Sequence, residues 1–209
     1  MTTALHDARL RAVLDAVAAS GAATVLDMGC GDGDLALRLA RAPGVSRITA
    51  LDTDLAALRR LVARLDGLPQ AARARVTPVH ASMTRVHPRL RGYDCACLVE
   101  TIEHLPPGEI PRLERALFHH TRPRHVVLTT PNADFNPLLG VPAHRRRHPG
   151  HQFEWGRVQF ARWTRGVAGR HGYDVALHDV AGAHPRLGGA SQMALFTRAD
   201  RADRVHEPG

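Results

Sequence analysis

The sequence predicts an α/β fold, a seven-stranded and mostly parallel sheet with helices on both faces. Short β-rich runs alternate with amphipathic helical runs along most of the chain, the first strand passes through a Gly-rich turn directly into a helix, and the second strand ends on an acid. At 209 residues the chain has the length of one ordinary domain. Residues 1–199 therefore read as a single domain, and Asp200–Gly209 as a polar tail that frays.

At Ala4–Ser20, the residues Leu10, Val13, Leu14 and Val17 fall on one helical face and mark an amphipathic helix. Runs rich in β-branched and apolar residues place strands at Thr24–Met28, Arg47–Asp52, Arg75–His80, Asp94–Val99 and His125–Thr130. Helical segments at Asp34–Ala42, Asp54–Leu65 and Glu109–His120 lie between them. After a Pro-, Arg- and His-rich stretch, Pro137–Gly150, come a helix at Arg157–His171 and two further strands at Asp174–Val180 and Gln192–Thr197. There is no internal repeat.

Twenty-eight basic residues, every one of them Arg, stand against 20 acidic ones, a net charge of +8. That excess favours a polyanionic partner such as nucleic acid, because phosphate attraction supplies most nonspecific binding. An apolar share of 44% and a charged share of 23% exclude wholesale disorder. No apolar run approaches the roughly 18 to 20 residues that cross a bilayer, and Met1–Asp7 lacks the basic stretch and apolar core of a secretion signal. Cys30, Cys95 and Cys97 form neither a disulfide framework nor a zinc spacing. The expectation is a cytoplasmic protein with reduced thiols and no membrane contact.

Strand one ends in Asp27-Met28-Gly29-Cys30-Gly31-Asp32-Gly33-Asp34, where an open α/β sheet places a ligand. The glycines let the backbone turn sharply and approach that ligand closely. A dinucleotide fingerprint wants Gly or Ala at position 34, and Asp34 would repel a pyrophosphate. Asp27 and the loop amides suit instead a ligand with both an ammonium and a carboxylate, and Asp52 is placed to accept hydrogen bonds from a ribose diol. From about residue 22 to 131 the chain resembles the class I S-adenosylmethionine-dependent methyltransferases. The resemblance implies a Rossmann-like fold and S-adenosyl-L-methionine as cofactor. Asp27, Gly29 and Gly31 would border its methionine end, Asp52 its ribose, and Ser82 and Met83 its adenine.

Strand four delivers Glu100, followed by Thr101-Ile102-Glu103-His104 and the breaker Pro106-Pro107. On one helical turn, positions 100, 103 and 104 share a face. Two carboxylates beside an imidazole have a divalent cation or bulk water as their natural tenant. A fourth donor, His151, lies between the basic run Arg145-Arg146-Arg147-His148 and the aromatic pair Phe153 and Trp155, which can dock the loop and aim the ring. Two Glu oxygens and two His nitrogens suit Mn²⁺, with Co²⁺ or Mg²⁺ as alternatives, although Mg²⁺ prefers more oxygen.

Together, Glu100-Thr101-Ile102-Glu103-His104-Leu105, Leu128-Thr129-Thr130-Pro131-Asn132 and His151-Gln152-Phe153-Glu154-Trp155, with Phe160 and Trp163, resemble the RNA 3′-terminal 2′-O-methyltransferases. That family includes eukaryotic small-RNA methyltransferases and bacterial enzymes that work with RNA repair. The resemblance implies methylation of the 2′-OH of an RNA 3′-terminal nucleotide bearing a free 2′,3′-diol, with Glu100, Glu103, His104 and His151 as metal ligands and catalytic set. It also implies an RNA-repair kinase, phosphatase or ligase as partner. Arg145, Arg146 and Arg147 are the local candidates for terminal phosphates, since a guanidinium fork matches a phosphate oxygen pair, and His148 is a further RNA contact. Members usually carry Asp before the last ligand. Here Gly150 stands there, so support for His151 is missing or comes from elsewhere. Bacterial repair members often add an N-terminal domain, whereas this chain reads as starting at the catalytic domain. The competing readings are a metal-independent methyltransferase acting on a small molecule or other acceptor, and a silent RNA-end-binding module.

Overall fold

The computed structural model describes residues 4–199, so the expected tail at 200–209 lies outside the described residues. Strands β1 (Thr24–Met28), β2 (Arg47–Asp52), β3 (Val76–His80), β4 (Cys95–Val99), β5 (His125–Pro131), β6 (Tyr173–Val180) and β7 (Ser191–Arg198) form one sheet in the order β3-β2-β1-β4-β5-β7-β6. The first five strands are parallel, and β7 runs antiparallel to both β5 and β6. The reversal follows from the connections. Helices separate the parallel strands, whereas β6 and β7 are joined by a loop over 181–190 without a helix, which favours antiparallel pairing.

The helices are α1 (Ala4–Ala19), α2 (Asp34–Leu39), α3 (Leu55–Leu65), the single turn α4 (Gln70–Arg73), α5 (Ile110–Glu114) and α6 (Arg157–His171). The segment expected as one helix over Glu109–His120 starts as α5 and widens into π-helical winding over Arg115–Thr121, closed by Arg122 in a left-handed conformation. The helix expected over Asp34–Ala42 ends at Leu39, and α4 has no counterpart in the sequence reading.

Strands β1, β2, β4 and β5 are buried on both faces, and successive residues alternate between two cores as the period of 2 requires. Val25, Cys95 and Cys97 join Leu10, Val13 and Leu61 on one side, while Leu26, Ala96 and Leu98 join Leu113, Phe118 and Phe160 on the other. All three cysteines are free and buried, as expected of packing residues. No helix among the described residues is long and apolar enough to cross a membrane. The parallel register brings the C-terminal ends of β1, β2, β4 and β5 to one edge, where such sheets bind ligands.

Candidate active site

Asp52, at the end of β2, pins the Gly-rich loop. Its Oδ2 accepts from the Gly31 amide at 2.8 Å and its Oδ1 from the Asp54 amide at 2.9 Å, and Asp54 then caps α3. Each carboxylate oxygen keeps a second lone pair, which is what a ribose diol needs. The two sides of the loop differ. A Cβ on Gly29 (φ +76°) would lie 2.6 Å from Thr101 Cγ2 and 2.9 Å from Met83 Cε, whereas one on Gly31 (φ +50°) would meet open space. Met83 therefore packs beside the loop, while Ser82 spends its hydroxyl on Thr84, at 3.0 Å to the hydroxyl and 3.2 Å to the amide.

Asp27 is buried beneath this loop, and its Oδ2 has no hydrogen-bond partner. Burial pushes its carboxyl up to about 7, against the downward pull of the Ala36 amide and with added like charge from Asp52 and Asp34. An unpartnered buried carboxylate is suited to a cationic group. Asp34 is itself paired with Arg64 at 2.6 Å and His6 at 3.3 Å, so it is a helix-tying residue.

At the end of β4, Glu100 adopts φ +53°, a strained conformation for a residue with a Cβ. Its Oε2 accepts from Ser191 Oγ at 3.3 Å. Arg9 Nε lies 3.2 Å from Oε1 but aims its hydrogen at Ser191 Oγ, so that oxygen has a charged neighbour and no hydrogen bond. Glu103 lies on a 3₁₀ turn, Ile102–His104, and is wholly buried. Its Oε2 accepts from Thr130 Oγ1 at 3.0 Å, and its Oε1 has no partner. Burial first, and then the charge of Glu100, push the Glu103 carboxyl well above the usual carboxylate range; burial also raises that of Glu100, against the pull of Arg9.

His104, His148 and His151 form a cluster whose candidate ligand atoms all lie within 4.8 Å of one another, and Glu100 and Glu103 are not members of it. The structure thus brings the two expected imidazoles together and adds a third, while the two expected carboxylates stand outside this three-imidazole group. The hydrogen bonds distinguish the rings. A carbonyl only accepts, so His104 donates Nδ1–H to the Gly150 oxygen at 3.2 Å. His151 donates Nδ1–H to Glu154 Oε1 at 2.5 Å. In their neutral forms both rings are left with a bare Nε2. His148 Nδ1 instead accepts from the Gly150 amide at 3.0 Å, so in its neutral form the proton stands on Nε2.

The basic loop divides its arginines. Arg145 is exposed, and Arg146 is exposed while donating to the His151 carbonyl at 2.8 Å. Arg147, expected at a phosphate, is committed inward: its guanidinium donates to Asn136 Oδ1 and to the carbonyls of Ala190 and Asn132. Asn132 caps the following turn and ties Leu187 and Gly189. Phe153 stacks on Trp155 at 4.4 Å between centroids, and Trp155 meets Trp163 at 5.1 Å, which docks the loop as expected.

A family model described as a methyltransferase domain matches residues 25–124. The methyltransferase domain of bacterial CtHen1-C is 33% identical, with a TM-score of 0.85 over 94% of this chain and 100% of that one. The chain belongs to the small-RNA 2′-O-methyltransferase family. Small RNA methyltransferase HEN1 superposes with a TM-score of 0.87 at 29% identity, over 94% of this chain and 25% of that one. The small RNA 2′-O-methyltransferase of Gallus gallus is 31% identical over 208 residues, covering 94% of this chain and 54% of that protein. The chain spans about half the length of the curated relatives it matches.

Within this small-RNA 2′-O-methyltransferase family domain, two contributors escaped the sequence reading. Glu154 supports His151, and its position three residues on was a usable signal. Arg9 reaches Glu100 from the N-terminal helix across 91 positions, and His148, expected as an RNA contact, stands in the imidazole cluster. No local spacing announces either contact.

Proposed function

We propose that the chain transfers the methyl group of S-adenosylmethionine to the 2′-hydroxyl of the 3′-terminal nucleotide of RNA, with a divalent cation, Mn²⁺ foremost, at the Glu100–His151 end of the site. One observation carries the reading: Glu103 is wholly buried with Oε1 unpartnered, beside the charge of Glu100, on the turn that delivers His104. A wholly buried acid with an unpartnered oxygen is costly, and a cation resolves it. Glu100, Glu103, His104 and His151 would hold that cation, which fits their mixed oxygen and nitrogen donors. Bound there, it would acidify and orient the vicinal hydroxyls of a terminal ribose.

The chain's own residues do the rest. Glu154 and the Gly150 carbonyl fix both ligand imidazoles in one tautomer and one orientation. Asp27 meets the cofactor's ammonium and Asp52 its ribose, while the open side of Gly31 admits the cofactor close to the backbone. Arg145 and Arg146 face outward for RNA phosphates. The names of the Gallus gallus and Mus musculus relatives support RNA as acceptor and the 2′-oxygen as its reacting atom.

The test is methyl transfer from labelled cofactor to a short RNA with a 2′,3′-diol end, beside its 3′-phosphate and 2′-deoxy forms, with Mn²⁺ or with chelator. Label confined to the diol RNA with metal is the expected result. Label on the 2′-deoxy form, or undiminished label with chelator, overturns it.

A further inference from the structure

A groove of about 780 Å³ lies between α6 and β6, lined by Arg157, Arg162 and Arg165 from the helix and by Leu177, His178 and Asp179 from the strand. None of these residues belongs to the site described above. Among the described residues, Arg162 and Arg165 pair with no carboxylate, while Arg157 is matched by Asp179 at 3.3 Å. Three residues apart on α6, Arg162 and Arg165 project from neighbouring turns of one side of the helix. The groove therefore carries a positive excess, and its lining also includes the exposed apolar residues Val158, 75% exposed, and Leu177, 36% exposed.

The sheet register fixes where this groove lies. Asp179 pairs with Gln192, and Gln192 with Thr130, the residue after the Thr129 that pairs with Val99. The strand wall of the groove is thus level with Glu100, three strands across. At the usual spacing between strands, that is about 14 Å. Helix α6 starts two residues after Trp155, so the groove continues directly from the loop that carries His151.

We propose that this groove holds the phosphate backbone of the RNA a few nucleotides from its 3′ end, with Arg162 and Arg165 as the phosphate contacts. Charge complementarity selects the occupant: two unpaired guanidiniums match a polyanion. The inference rests on the proposed RNA chemistry for its polarity, but it concerns the body of the RNA rather than its end and is tested by binding.

The experiment compares the described protein with Arg162→Glu/Arg165→Glu and with the milder Arg162→Gln/Arg165→Gln, each checked by thermal melting. Affinity for a 20-nucleotide RNA is titrated across salt, and methyl transfer is measured on a dinucleotide too short to reach the groove. The charge-reversed pair should bind the long RNA about 10-fold more weakly, with a salt slope smaller by about 1.4 to 1.8 for two phosphate contacts. The neutral pair should show the same slope change with a smaller loss, and turnover of the dinucleotide should hold. Unchanged affinity for the long RNA overturns the proposal and gives the groove to a protein partner. Equal loss on both RNAs overturns it too, since the arginines would then act through the catalytic site. Weakened long-RNA binding in a protein that labels no RNA would leave this proposal standing while the methyl-transfer reading falls.

Discussion

His151 Nδ1 lies 2.5 Å from Glu154 Oε1, in a contact whose two side chains are 7% and 4% exposed. Glu154 also accepts from Asn136 Nδ2 and from the Arg147 amide. Although burial pulls its carboxyl upward, the bonds from His151, Asn136 and Arg147 hold it below the usual range, so it is ionised and can only accept. The support for His151 that Gly150 cannot give therefore comes from three residues downstream. Replacing such a support costs 10- to 100-fold in metal affinity. Glu154→Gln should weaken Mn²⁺ binding within about that range in a calorimetric titration. Gly150→Asp should not restore it, because a Cβ there would lie 3.0 Å from His148 Nδ1 and 3.2 Å from His104 Nδ1. Restored affinity in the double variant would show that the usual acid works in this chain as well.

His148 shares the imidazole cluster but not its hydrogen-bond logic. With Nδ1 accepting from Gly150, its Nε2 is a donor, whereas those of His104 and His151 are acceptors. His148→Gln should accordingly leave Mn²⁺ affinity within about 3-fold and raise the KM for RNA, while His151→Gln should lose the metal. A loss of metal by His148→Gln equal to that of His151→Gln would make it a ligand.

The strands were legible because each parallel strand is a short apolar run between turn residues, and because Asp27, Gly29 and Asp52 fall at strand ends where the fold needs them. The turn after β4 was legible for the same local reason: Glu100, Glu103 and His104 lie within five residues. What sequence could not give depends on distant closure. The Gly150 carbonyl meets His104 from 46 positions away, Arg9 meets Glu100 from 91, and Arg147 turns inward only because the Asn132 and Ala190 carbonyls are there to receive it. A run of three arginines carries no mark of which one is structural.

The first two loop glycines should fail in different ways. At Gly29, alanine meets both a positive φ and a contact with Thr101 and Met83, so Gly29→Ala should lower the melting temperature markedly. At Gly31, alanine meets only the positive φ, which costs about 1–2 kcal/mol, and its methyl projects into the space assigned to the cofactor. Gly31→Ala should melt near the wild-type temperature and lose its stabilisation by S-adenosylhomocysteine. Full stabilisation by that ligand would place the cofactor elsewhere.

Arg9 and Glu100 form a pair with 12% and 16% side-chain exposure, tied further through Ser191. Removing one member of a buried pair leaves the other uncompensated, which typically costs about 3–5 kcal/mol for full burial, with screening at this residual exposure reducing it. Arg9→Gln should thus destabilise clearly in urea unfolding, and Glu100→Gln in the same chain should recover part of the loss. Additive losses in that double-mutant cycle would mean that the two residues do not interact.

Asp27 makes the stability of the fold depend on pH. Its carboxyl is pushed from the ordinary 3.8 up to about 7 by burial, so between those values the unfolded chain has released a proton that the folded chain keeps. The unfolded state binds fewer protons in that window, and the contribution of Asp27 to stability falls as pH rises through it and then levels off. Asp27→Asn removes this dependence, so its melting-temperature advantage over the wild type should grow between about pH 5.5 and about pH 7.5. A cofactor ammonium beside Asp27 favours the ionised carboxylate. S-adenosylhomocysteine should therefore stabilise the wild type more at the higher pH, and that gain should vanish in Asp27→Asn. The same gain in both proteins would show that the ammonium binds away from Asp27, and that the unpartnered Oδ2 has another role.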